Sequence, residues 1–263
     1  MDTPDVRLSR ISKLFVDRDE VALDAVLAQR QGYSVTLSCG DDVAQSYTLQ
    51  LAILTAANIA SRCFPGAVRV ALSQRLTDAS LLLWPSLKQS FGQALVSLLG
   101  PEALASSNHF TAGRMVIFGD AGDDYGSALR VTFDGWIAKV GPVRDFGRLP
   151  EREYCSLVGI LAAALAVSEL FLVFAEISLA ATRRTVALSL WRPDLDISNP
   201  SALGIPVEFL PRDLWMLGLG HLGNAYLWSL ATLPYRDPGE TKIYLNDFDE
   251  IETDNVETST SSS

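Results

Sequence analysis

Three glycines near the end of the chain have the spacing that phosphate binding needs. The segment Gly218-Leu-Gly220-His-Leu-Gly223 follows a predicted strand and opens a predicted helix. In such a loop Gly218 permits a tight turn, Gly220 lets a phosphate approach the backbone, and Gly223 lets the helix pack close to the strand. The N–H groups at the helix start would then donate to the anion. The pattern predicts a nucleotide-binding loop, and the alternative is a glycine-rich turn that binds nothing.

An acidic residue, Asp247, ends the next predicted strand, where a carboxylate can accept hydrogen bonds from ribose hydroxyl groups. It lies farther from Gly218 than the usual spacing of about 20 residues, and the polar segment 235–242 accounts for the excess as a longer loop. The alternative role for Asp247 is that of a solvated acid at a strand end. Residues 214–249 are therefore predicted to form one β–α–β unit.

The end of this unit resembles the ThiF/MoeB/HesA superfamily, which includes the ubiquitin-activating enzymes. Asp247-Phe248-Asp249 is followed by an acidic and apolar stretch and then by Asn255, as in that family. The resemblance covers residues 214–259 and implies that the nucleotide is ATP, bound with Mg²⁺. It implies that Asp247 binds ribose and that Asp249 and Asn255 belong to the nucleotide site.

The same resemblance implies a reaction and a partner. Members of the family adenylate the C-terminal carboxylate of a ubiquitin-like protein or peptide, and homodimers are expected by analogy. The family carries a phosphate-binding arginine three positions after the asparagine, whereas this chain has Thr258 there. No catalytic residue is identified. Two other functions stay open: a non-catalytic docking or dimerisation module, and an NAD- or FAD-dependent oxidoreductase.

An earlier segment, 33–73, shows the same strand, helix and strand pattern without the glycine spacing. Its first turn is Cys39-Gly40-Asp41-Asp42, which puts two carboxylates where a phosphate would lie. This turn is expected to repel ATP. Cys39 is expected to be a core or turn residue, because the flanking aspartates disfavour a thiolate.

A long apolar helix is predicted over 153–178, and it resembles the small-residue helix that crosses the domain in the same family. Close packing is expected at its alanines, Ala162, Ala163, Ala164 and Ala166. An ordinary buried helix is the alternative. Ser168, Glu169 and Glu176 interrupt the apolar stretch, so a membrane span is not expected.

The predicted fold class is α/β, with Rossmann-like parallel sheets. A degenerate first unit is followed by the start of a second, nucleotide-binding β–α–β unit. Asp134-Gly135, between two alternating runs over 128–140, predicts a hairpin, and a polar loop is expected over 141–150. The predicted boundaries are 1–192 for the degenerate domain, 193–211 for a connector, 212–259 for the beginning of a truncated adenylating domain, and 260–263 for a flexible tail.

The amino-acid composition argues against several other classes of protein. The 263 residues are 48% hydrophobic and 20% charged, as in a folded globular protein, and the net charge of −10 argues against nucleic-acid binding. The three cysteines are not clustered, which argues against a disulfide framework and a zinc site. With only two histidines, a multi-histidine metal site or a serine triad is not expected either. The first residues lack the pattern of a signal peptide, so a cytoplasmic location is expected.

Overall fold

The computed structural model describes residues 10–106, 114–122 and 126–248 and divides the chain into two compact units. The larger one, the sheet unit, comprises residues 33–207, and the smaller one, the loop unit, comprises 1–32 and 208–263. The helices are α1 (Arg10–Asp19), α2 (Leu23–Arg30), α3 (Tyr47–Cys63), α4 (Gln74–Thr77), α5 (Phe91–Leu99), α6 (Leu157–Phe174) and α7 (His221–Ala231). The strands are β1 (Ser34–Cys39), β2 (Ala67–Leu72), β3 (Leu104–Ser106), β4 (Arg114–Phe118), β5 (Leu129–Asp134), β6 (Ile137–Pro142), β7 (Val186–Ser189), β8 (Asp213–Leu217) and β9 (Lys242–Asn246).

The described strands of the sheet unit form a mostly parallel seven-stranded sheet in the order β3-β2-β1-β4-β5-β6-β7. Strands β1 to β5 pair in parallel, and β6 and β7 add antiparallel partners at one edge. Parallel neighbours need a crossover, which α3 supplies between β1 and β2. The predicted α/β class is confirmed. The hairpin at Asp134-Gly135 joins β5 to β6, and Gly135 has the positive φ of 60° that the turn requires.

The core of the sheet unit depends on close packing between α3 and α6. A Cβ atom added at Gly159 would lie 2.6 Å from the Thr48 carbonyl oxygen, so only glycine lets the two helices approach this closely. Ala162, Ala163 and Ala166 are buried on the same helix. Ala164 is exposed, because it lies on the opposite side of α6, and its predicted packing role is wrong.

Helix α6 is long and apolar enough to cross a membrane by length and composition alone. In this fold it packs along α3 and against β5 and β6. It begins at Leu157, later than the predicted start at 153, and Glu153 contacts the start of α3 instead. Its packed face includes Val158 and Leu170, which are buried as predicted.

The loop unit contains the second strand, helix and strand. Strands β8 and β9 pair in parallel from Asp213 opposite Lys242 to Leu217 opposite Asn246. Helix α7 connects them and begins directly after the glycine loop. The N-terminal helices α1 and α2 contact each other, and Arg30 of α2 donates to Ser12 Oγ of α1 at 2.6 Å.

Candidate functional site: two glycine loops

The glycine loop of the loop unit turns sharply out of β8. Gly218 has φ of 89°, a conformation that residues with a side chain rarely adopt. Its backbone N–H donates to the Asn246 carbonyl oxygen of β9 at 2.9 Å, which ties the loop to the end of the neighbouring strand. The turn therefore begins where both parallel strands end, the usual position of a ligand in an open α/β sheet.

The middle of this loop is open. A Cβ atom added at Gly218 or at Gly220 would meet no atom within 4 Å. Gly220 is also the N-cap residue of α7, and its lack of a side chain leaves the helix start without a side-chain cap. A ligand could therefore approach both the loop backbone and the first N–H groups of the helix.

Gly223 lies at the closest approach between the loop and α7. It is buried, and an added Cβ atom would overlap the Gly218 carbonyl oxygen. Any other residue here would push the helix away from the turn. The three glycines therefore have different surroundings: open space at Gly218 and Gly220, and tight contact at Gly223.

Two polar side chains hold the loop in this shape. Asp247 Oδ2 accepts a hydrogen bond from the Leu219 N–H. Asn224 Nδ2, one turn into α7, donates to the Leu219 carbonyl oxygen and, at 3.2 Å, to that of Gly220. Asp247 was identified from the sequence, whereas Asn224 was missed. The signal that could have revealed Asn224 is its position four residues after Gly220, from which an amide can reach back to the loop carbonyl groups.

An apolar groove of about 700 Å³ runs beside the loop, between β8 and α7. Trp215, Leu217, Leu222 and Tyr226 line it and are all exposed. On the sheet, Trp215 stacks on Tyr244 of β9 with ring centroids 4.7 Å apart. The loop thus offers backbone N–H groups next to aromatic and aliphatic side chains.

The other predicted site residues, Asp249 and Asn255, lie outside the described residues, as does Thr258. Their roles stay predictions. Across residues 10–106, 114–122 and 126–248, no group of three or more histidine, cysteine, aspartate or glutamate side chains is arranged to hold a metal ion.

The corresponding loop of the sheet unit, between β1 and α3, is closed. A Cβ atom added at Gly40 would overlap the Asp120 backbone nitrogen, which follows β4. Asp42 Oδ1 accepts the Asp120 N–H at 2.8 Å, and Asp42 Oδ2 accepts from Arg148 at 2.7 Å. The Asp42 carboxylate thus receives a backbone N–H and a guanidinium, the donors that proteins offer to phosphate.

A second carboxylate closes the start of helix α3. Residues 148–153, which we call the strap, lie along the carboxyl edge of the sheet. From the strap, Glu153 Oε1 accepts the Thr48 N–H at 3.1 Å and the Ser46 hydroxyl. Arg152 holds the strap in place through a bidentate pair with Asp134, at 2.8 and 2.5 Å. The helix start, where an anion would bind, is therefore filled by the protein's own acid.

Neighbouring charges and burial shift the pKa values of two side chains at this edge of the sheet, Arg148 and Cys39. Hydrogen bonds to Glu151 and then to Asp42 raise the pKa of the Arg148 guanidinium, which stays charged. Burial, reinforced by the charge on Asp42, raises the pKa of the Cys39 thiol well above its usual range. Cys39 is buried, as predicted, and remains a neutral core thiol.

The parallel α/β sheet and the second β–α–β unit are Rossmann-like, and comparison with known proteins shows that the chain is related to the E1-like class. The chain is 35% identical, over 262 residues and 96% of its length, to the bacterial E1-like protein BilD of Collimonas sp. (strain OK412). Family models of the BilD N-terminal and C-terminal domains match residues 34–190 and 210–263. The chain belongs to the BilD family.

The match covers 54% of that relative, so the chain spans about half the length of the curated relative it matches. The relationship shown is to E1-like BilD proteins and not to ThiF or MoeB in particular.

Proposed function

We propose that this chain is part of an E1-like adenylating protein whose glycine loop, Gly218 to Gly223, binds ATP with Mg²⁺. The reaction joins a carboxylate to ATP, forms an acyl-adenylate and releases pyrophosphate. The observation that carries the proposal is the open space at Gly218 and Gly220 beside an uncapped helix start. Backbone N–H groups fixed in this way stabilise phosphate charge without reorganising.

Each site residue has a distinct part in this proposal. Gly218 and Gly220 admit the phosphates, and Asp247 binds the ribose hydroxyl groups. Because Asp247 also accepts the Leu219 N–H, it couples the ribose position to the shape of the phosphate loop. Asp249 and Asn255 complete the nucleotide site, as the family resemblance implies.

The non-catalytic, degenerate copy of the same fold is the first domain in this proposal, with boundaries 1–192; it includes most of the sheet unit, and 193–211 connects it to the adenylating part. Its support is the closed loop, where Asp42 and Glu153 accept the hydrogen bonds that a phosphate would otherwise accept. A phosphate brought there would meet two fixed negative charges.

The partner in this proposal is a ubiquitin-like protein or peptide with a free C-terminal carboxylate. An E1-like relationship implies a partner protein of some kind, and the carboxylate is the chemical group that adenylation requires. We place the protein in the cytoplasm and expect it to be able to form homodimers.

A docking or dimerisation module is the second candidate. The observation that favours it is the exposed apolar surface of the loop unit, where Trp215, Leu217, Leu222 and Tyr226 are each more than half exposed. Exposed apolar patches of this kind commonly mark binding surfaces for other proteins.

Titration calorimetry of the full chain separates these functions. We expect Mg²⁺–ATP to bind, NAD to bind at least tenfold more weakly, and Gly220→Asp to abolish ATP binding by placing a carboxylate in the cradle. Gly126→Asp is the matched control, because a Cβ atom at Gly126 also meets nothing within 4 Å but lies in the sheet unit.

Each contrary result leads to a different function. Tighter binding of NAD than of ATP would favour an oxidoreductase. A folded chain that binds neither nucleotide would favour the docking module. Equal loss of ATP binding in Gly220→Asp and Gly126→Asp would show that the glycine loop is not the site.

A further inference from the structure

The sheet unit has a second concave surface, at the amino-terminal edge of its parallel strands and opposite the strap. This groove of about 540 Å³ falls in the usual size range of ligand sites, roughly 300–1,000 Å³. Arg114 begins β4 on one side, Arg144 follows β6, and Arg183 precedes β7. We call this surface the arginine groove; it also includes Val173, Glu176 and Leu179.

The arginines of this groove differ from most others in the structure. Arg148, Arg152, Arg184, Arg192 and Arg212 each lie within 2.7 Å of a carboxylate oxygen. Among the described residues, by contrast, the side chains of Arg114 and Arg183 form no hydrogen bond or ion pair. Arg144 is 3.7 Å from Asp145 and 72% exposed. Three guanidinium groups therefore face one concave surface with little internal neutralisation.

The segment between α6 and β7, which carries Arg183, is held in place by contacts with α6. Buried Glu169 of α6 accepts the Thr182 N–H at 2.8 Å and the guanidinium of Arg184 at 2.7 Å. The Ile177 N–H donates to the Leu172 carbonyl oxygen at 2.9 Å and closes the end of the helix. The segment between α6 and β7 is thus fixed by its own contacts, which lowers the entropic cost of binding at the groove.

The charge on the described lining of the groove is opposite in sign to that of the protein. Among the described residues, three arginines and one acid, Glu176, line this surface, on a chain whose net charge is −10. A nucleic acid would have to approach a chain with 31 acidic and 21 basic residues, and three cations cannot follow its phosphate backbone. Val173 and Leu179 add apolar surface, and Leu179 is 91% exposed.

We propose that the arginine groove docks a short acidic peptide segment of a partner protein, with carboxylates on Arg114, Arg144 and Arg183 and an apolar side chain on Leu179. Guanidinium groups suit carboxylates because both are planar and can form two parallel hydrogen bonds. The apolar wall distinguishes such a segment from a free inorganic anion. The fixed wall and the local positive charge would favour rapid association, which salt would weaken.

Fluorescence anisotropy with the full chain tests this proposal. The probe is a labelled pentapeptide with four acidic residues and a central leucine, and its comparison peptide carries asparagine and glutamine in place of the acids. We expect the acidic peptide to bind at least tenfold more tightly. We also expect its affinity to fall as the salt concentration rises from 50 to 200 mM, because exposed charges are screened over about 10 Å at 0.1 M salt.

Variants assign the binding to the groove. Arg114→Ala and Arg183→Ala should each weaken binding roughly fivefold, the upper range for one exposed ion pair. Arg75→Ala is the matched control, since Arg75 is an exposed arginine elsewhere in the sheet unit. Glu176→Gln should strengthen binding, because it removes the acid that lines the groove. Leu179→Ser should weaken binding of the acidic peptide without changing its salt dependence.

Three results would overturn the proposal. Equal affinity for the two peptides would show that charge is not recognised. An equal loss in Arg75→Ala and Arg183→Ala would show that the peptide does not bind in the groove. Complete displacement by inorganic pyrophosphate, with no effect of Leu179→Ser, would identify a simple anion site in place of a peptide-docking surface.

Discussion

The two glycine loops of this chain each follow a parallel strand and precede a helix, but one is open and the other is closed. At Gly220 an added Cβ atom meets nothing within 4 Å, whereas at Gly40 it would overlap the backbone of Asp120. The loop at Gly40 is closed by Asp42 and by Glu153 of the strap, which accept the hydrogen bonds that an anion would otherwise accept. The difference shows that one backbone layout can leave its loop open or fill it with the protein's own acids.

The largest expected effect on stability is that of a substitution at Gly223, in the open loop. Gly223→Ala would overlap the Gly218 carbonyl oxygen and should destabilise the loop unit by about 3 kcal/mol, at the upper end for overpacking. Gly220→Ala adds the same methyl group in open space and should cost no more than about 1 kcal/mol, the usual loss for alanine at an N-cap. Hydrogen exchange across residues 213–246 measures both. Equal exchange in the two variants would mean that the loop is not tightly packed at Gly223.

Much of the arrangement around these loops was predictable, because it depends on local pattern. The glycine spacing, the hairpin at Asp134-Gly135 and the paired acids Asp41-Asp42 can be recognised from a few neighbouring residues. The strap could not be recognised, since Glu153 meets Thr48 from more than 100 residues away. The sequence predicts a polar loop over 148–150 and a helix from 153, and nothing in the composition of this segment specifies which helix start it covers.

The arginine groove was missed for a similar reason. Arg114, Arg144 and Arg183 are far apart in sequence and belong to no basic run. Only the packing of β4, β6 and the segment between α6 and β7 brings them to one surface. The sequence also does not show which face of a helix packs against the core. The alanines of α6 were expected to pack together because of their residue type, but Ala164 lies on the exposed face of the helix.

The next largest effect tests the closed loop. Gly40→Ala should destabilise the sheet unit by about 2 kcal/mol, because the added methyl group would meet fixed backbone atoms at Asp120. Gly147→Ala is the matched control, since a Cβ atom there meets nothing within 4 Å. Urea unfolding of both variants gives the difference. A Gly40→Ala protein as stable as Gly147→Ala would show that the loop has room for a ligand after all.

Thiol reactivity tests the electrostatics behind the closed loop. Burial, with the charge on Asp42, raises the pKa of Cys39, so the reactive thiolate is scarce near neutral pH. Half-buried Cys63 should react with iodoacetamide at pH 8 at least tenfold faster than Cys39. Because deprotonation of Cys39 is disfavoured by the fold, its labelling should rise only as the pH goes far above the usual thiol pKa. Peptide mass spectrometry over time measures both rates, and similar rates at the two thiols would show that Cys39 is accessible and ionised.

The smallest expected effect is the most informative about the comparison. Glu153→Ala removes the carboxylate at the start of α3 and should cost about 1 kcal/mol, as for other lost helix caps. Glu153→Gln should recover part of this loss, because its carbonyl oxygen can still accept the Thr48 N–H while the charge is gone. Urea unfolding separates the two variants.

Combining Glu153→Ala with Asp42→Ala would leave the Thr48 and Asp120 N–H groups and Arg148 beside an emptied edge. If the protein's own acids are what keep this loop from binding anions, the double variant should gain measurable affinity for pyrophosphate that the natural sequence lacks. If it stays folded and gains none, the close approach at Gly40 is the decisive barrier, since backbone overlap would exclude a ligand even after the negative charges are removed.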